Sequence, residues 1–95
     1  MTEATNTDAI LAERGSRYGL FVDHAAITQE LKNLIYRHAD RMGKDFAPDQ
    51  AEALDMICHK IGRIVNGDPN HYDSWADIAG YAKLVSDRLE TGKVV

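Results

Sequence analysis

The sequence predicts an all-α protein: a compact helical bundle of three long helices plus a short N-terminal helix, in one domain spanning residues 1–95 that oligomerises. Three observations lead there. Apolar residues recur at three- and four-residue spacings, as on helices with one apolar face. No segment alternates like a strand, and there is no internal repeat or low-complexity tract. Glycines and prolines fall where helices of ordinary length should end or begin.

Met1–Asn6 is small and polar and reads as a frayed tail. Thr7 can cap a short helix over about Asp8–Arg14, with Ile10 and Leu11 as its apolar side and Gly15 as its end. GSRYGLF then reads as a glycine-punctuated loop. Asp23 is a suitable N-cap for the first long helix, whose apolar face is Ile27, Leu31, Leu34, Ile35, His38 and Met42, with Gly43 at its C-terminal end.

Pro48 opens the next helix. Its stripe is Leu54, Ile57, Cys58, Ile61, Ile64 and Val65, and Gly67 followed by Asp68-Pro69 closes it. The last helix starts between Asn70 and Asp73, carries Trp75, Ile78, Ala79, Ala82, Val85 and Leu89 on one stripe, and ends at Gly92. Connections of about 5–8 residues favour antiparallel neighbours.

Composition narrows the function classes. With 44% hydrophobic and 27% charged residues, the chain is neither disordered nor fibrous. No apolar run reaches the roughly 18 residues that a membrane helix needs, and MTEATNTDAI lacks the build of a signal peptide. One cysteine, Cys58, excludes an internal disulfide and a cysteine-based zinc site, so a cytoplasmic location is expected. A net charge of −4 argues against nucleic acid as the main partner. A chain this short buries only about two-thirds of its unfolded surface, which makes a homo-oligomer the expected state.

Two groups of residues could carry chemistry. Glu52, Asp55, His59 and Arg63 fall on one line of the Pro48 helix, and Asp73 and Asp77 lie one turn apart on the last helix. Both lines lie roughly opposite their apolar stripes, so they also read as solvated faces carrying ordinary ion pairs. Gly62 and Gly80 inside helices, with Tyr81 and Leu84 beside the second line, suggest instead a surface covered by a subunit or a ligand. Gathered carboxylates would require a cation, and hard oxygen donors suit Mg²⁺, with Mn²⁺ as a substitute. Lys60, Arg63 and Lys83 could then neutralise phosphate oxygens.

The second group is ERGSRYG. Arg14 and Arg17 suit phosphate or carboxylate, and Tyr18 could stack on a base; the plainer reading is a helix end followed by a packed tyrosine. His24 has no legible partner. His38, Cys58 and Trp75 read as core, and His71 as helping to start the last helix. No nucleophile elbow, phosphate-cradling GxxxxGK[ST] or dinucleotide GxGxxG occurs.

The stretches ERGSRYG, EALDMICHKIGRIVNGDP and DSWADIAGYAKLV resemble a small family of phage and prophage proteins, over about Ile10 to Leu89. That family is similar in pattern to the MazG-type all-α nucleotide pyrophosphohydrolases, oligomers that hold Mg²⁺ with an E-x-x-E/D pair and an E-x-x-D pair. The resemblance implies Glu52 and Asp55 as the first pair and Asp73 and Asp77 as the second, the latter spaced four apart and opening on Asp.

Three functions remain open. One is a phage-type nucleotide-binding homo-oligomer with Mg²⁺-dependent pyrophosphohydrolase activity, phosphates being met by Arg14, Arg17, Tyr18, His59, Lys60, Arg63, Tyr81 and Lys83. Another is a non-catalytic protein that sequesters a nucleotide signal of bacterial defence. The third is a protein-interaction module.

Overall fold

A computed structural model describes residues 4–92 and contains four helices: α1 (Ala4–Tyr18), α2 (Phe21–Arg41), α3 (Pro48–Asn66) and α4 (Tyr72–Thr91). No strand occurs among the described residues. The all-α bundle is as expected, with α1 the shortest helix. None of these helices is long and apolar enough to cross a membrane.

Most helix ends follow local chemistry. Pro48 is the first residue of α3, and the Ala47 N–H just before it donates to the Gln50 side chain at 2.9 Å. Gly43 and Gly92 follow α2 and α4 with left-handed backbones. The first two helices differ from expectation. Residues 1–3 of the supposed tail lie outside the described residues, and α1 already begins at Ala4, so Thr7 is interior and no cap. Gly15 does not end the helix either; α1 runs on to Tyr18 and stops at Gly19, φ +78°. GSRYGLF is therefore mostly helical, and α2 starts at Phe21, which puts Asp23 in its first turn. There its carboxylate still favours the helix N-terminus.

α3 is the central helix. α2 packs along one edge and α4 along another, and α2 and α4 do not meet. Gly62 makes the α2 contact close, since a Cβ there would sit 2.5 Å from Thr28 Oγ1 and 2.6 Å from His24 Cδ2. The Tyr36 hydroxyl on α2 donates to the Ala51 carbonyl at 3.0 Å and to Asp55 Oδ1 at 2.7 Å. On the other edge, Lys60 Nζ meets Asp77 Oδ2 at 2.9 Å, and Arg88 grips Asp49 with both ends of its fork, one bond at 2.8 Å.

The layer is elongated, 51 × 30 × 26 Å, with a radius of gyration of 16.2 Å against about 12 Å for a typical domain of this length. Its buried apolar residues are few: Ala39, Ala53, Cys58 and Ile64. Cys58 is core, as read. His38 is not; it is exposed and accepts from Arg41 at 2.7 Å. Trp75 is not core either, at 55% exposure, and Leu34, Met42, Val65 and Leu89 are also largely exposed. The reason lies in α4, which turns Ser74, Ile78, Tyr81, Val85 and Arg88 inward, along with the pairing residue Asp77, while Trp75, Ala79, Ala82 and Leu89 stay outside.

Candidate functional site

Where the α1–α2 joint crosses the C-terminal half of α3, the chain encloses a cleft of about 560 Å³. Two segments clasp to form it. Asn66 Nδ2 donates to the carbonyls of Tyr18 at 2.8 Å and Leu20 at 3.0 Å, and the Asp68 N–H donates to the Arg17 carbonyl at 2.6 Å. Gly67 lies so close to the Arg17 and Tyr18 backbone that no Cβ fits. The ERGSRYG and NGDP stretches thus explain each other as the two halves of one clasp.

Leu11 and Arg14 of α1, Tyr18, Phe21 and His24 beyond them, and His59 and Arg63 of α3 line the cleft. The Arg63 guanidinium lies 4.2 Å over the Tyr18 ring, whose edge meets His71 at 5.7 Å between centroids. Among the described residues neither Arg14 nor Arg63 has a carboxylate partner. His24 donates from Nε2 to the His59 carbonyl at 2.9 Å, and the two rings sit edge to face at 4.5 Å. His59 is pushed down to about 4 by burial first, then by Arg63, His24, Lys60 and Lys32. At neutral pH it is an uncharged ring in a positive neighbourhood, which is a setting suited to an anion.

The other candidate phosphate contacts lie elsewhere. Arg17 pairs with Glu13 at 3.1 Å, buried Lys60 with Asp77, and Lys83 with Asp87 at 2.9 Å along α4. Tyr81 lines a separate hollow of about 420 Å³ with Glu52, Leu84 and Arg88. Of the eight, Arg14, Tyr18, His59 and Arg63 come together.

The four carboxylates do not. Asp55 turns towards α2, where Tyr36 donates to it, and the Tyr36 hydroxyl is raised to about 12 by burial and then by this bond. Asp77 is on the opposite edge of α3 with Lys60; Glu52 is exposed; exposed Asp73 lies 3.7 Å from His71 Nε2. Among the described residues no three His, Cys, Asp or Glu side chains gather in a way that could hold a metal. Within one chain, then, Asp55 and Asp77 do not share one set of donors.

Over residues 1–89 the sequence matches a family profile described as a domain of unknown function, DUF6378. The chain belongs to the DUF6378 family. Neither the curated proteins nor the solved structures include a match to it.

Sequence reading missed four residues of this DUF6378 cleft: Leu11, Leu20, Phe21 and His24. For His24 a signal existed. His24 and Thr28 lie one turn apart on α2, and Gly62 on α3 calls for a small or flat surface opposite it. Gly80, by contrast, has nothing within 4 Å of its Cβ position, so Gly62 and Gly80 have different roles in this DUF6378 chain.

Proposed function

We propose that this protein binds a nucleotide in the cleft between the α1–α2 joint and α3, and holds it without hydrolysing it. The observation that carries this is the presence in a chain of net charge −4 of two arginines, Arg14 and Arg63, that line one cleft with no carboxylate partner among the described residues. Guanidinium groups recognise phosphate by paired hydrogen bonds. Phe21 and Leu11 give the apolar surface a base requires, and about 560 Å³ lies within the range of small-ligand sites. The resemblance to phage proteins of MazG-like pattern points to the same ligand class, and in that setting to capture of a nucleotide defence signal.

Hydrolysis is the second reading, from the same resemblance. Two of its four metal carboxylates, Asp55 and Asp77, are engaged with Tyr36 and Lys60, which favours binding alone.

Calorimetric titration with ATP, GTP and cyclic di-GMP, with EDTA and with Mg²⁺, tests the proposal, followed by mass spectrometry of the ligand recovered after denaturation. Saturable binding in EDTA is expected, weakened at least tenfold by Arg63→Ala and by Arg14→Ala, with the ligand recovered intact. Cleaved product would restore the hydrolase reading. No binding across the panel would leave the interaction module.

A further inference from the structure

With α2 and α4 along its edges and the α1–α2 joint crossing only its C-terminal half, α3 leaves the layer two broad sides. One holds the cleft at Arg63. The other lies at Leu54, nine residues earlier and so about 180° around the helix. It is apolar. Leu54 and Ile57 share a hollow with Ala82 and Leu89 of α4, and Phe46 joins it to a second hollow formed by Leu34 and Met42 of α2. Trp75 lies on the same stripe of α4 as Ala82 and Leu89, its ring held by an N–H donated to the Pro69 carbonyl at 2.8 Å. A fixed, exposed aromatic of this kind is a common interface anchor.

The surface area tells how much is uncovered. The chain exposes 6857 Å², about a quarter more than the roughly 5,500 Å² of a folded monomer of this mass. The excess, about 1,400 Å², includes the open α1 arm as well as this apolar side, and ~800 Å² of it would suffice for one partner's share of a standard interface.

We propose that this apolar side is the interface of a homodimer, in which two copies stack their helix layers about a two-fold axis. The occupant is a second copy because the chain cannot complete its core alone. Among the described residues only Ala39, Ala53, Cys58 and Ile64 are buried apolar residues, so the missing partner has to be present wherever the chain is made. Another copy always is, and one self-complementary patch closes the assembly at two. Two stacked layers are the usual way helices enclose a core. The cleft lies on the other side of the layer and stays open in this arrangement.

Sedimentation equilibrium of the full chain at micromolar concentration is expected to give twice the 10.6 kDa chain mass, with a melting temperature that rises with concentration. Leu34→Glu and Leu89→Glu are expected to sediment at the single-chain mass. Val22→Glu, at a position equally open but about 120° from Leu34 around α2, is expected to keep the doubled mass. If either leucine variant fails to fold, the concentration dependence of melting in the unmodified chain decides. A single-chain mass with concentration-independent melting, or leucine variants that keep the unmodified mass, overturns the proposal.

Discussion

Lys60 and Asp77 tie α3 to α4 across 2.9 Å, with the lysine side chain nearly buried and the aspartate half open to water. Removing the partner strands a buried ammonium. Asp77→Asn is therefore expected to destabilise the fold by about 1–3 kcal/mol in urea unfolding, and Lys60→Met to cost less, because methionine fills the space without a charge. Equal losses would show that the pair contributes through packing alone.

His59 makes stability depend on pH. Its folded pKa, about 4, lies below the usual 6.5, so between these values the unfolded chain binds the extra proton. Stability from this group is complete above about pH 6.5 and is lost as pH falls through 4. The loss is roughly 1–2 kcal/mol once solvent screening is allowed for. Chemical denaturation from pH 7 to 4 checks it, and His59→Gln should flatten the profile over that window.

Gly62 and Gly80 are expected to respond oppositely to alanine. Gly62→Ala forces a methyl against Thr28 and His24 and should cost about 2 kcal/mol or more. Gly80→Ala meets nothing within 4 Å and should stabilise by about 0.5–1 kcal/mol through helix propensity. Thermal unfolding of both variants measures the contrast.

Thr28 itself is a buried hydroxyl without a hydrogen-bond partner among the described residues. Thr28→Val keeps the shape and removes the stranded polar atom, so it is expected to be neutral or to stabilise by about 1 kcal/mol. A loss beyond 1 kcal/mol in the same assay would mean that the hydroxyl is satisfied in solution.

Punctuation residues were the most legible part of the sequence. Pro48, Gly43, Gly67 and Gly92 mark helix ends because their backbone preferences act locally. The end of α1 was not legible, since Gly15 and Gly19 are equivalent signals until Asn66, far along the chain, binds the carbonyls flanking Gly19. Periodicity told which residues share a face, but not which face turns inward. On α4 the charges of Asp77 and Arg88 found opposite charges on α3 and drew the polar edge in, leaving Trp75 outside. The same distinction divides the site. Arg14, Tyr18 and Arg63 meet because the clasp joins their helices, whereas Asp55 and Asp77, close in pattern, sit on different edges of α3.

From Asn6 to Arg17 every residue of α1 is exposed, so this helix rests on the body of the protein only at its last turn. Its amide protons should accordingly be the first to exchange with solvent deuterium, long before those around Cys58. Arg14 stands on this loosely held arm and Arg63 on the firm central helix. An anion gripped by both would pin the arm down, and slowed deuterium uptake in α1 would then report occupancy of the cleft without any label on the ligand.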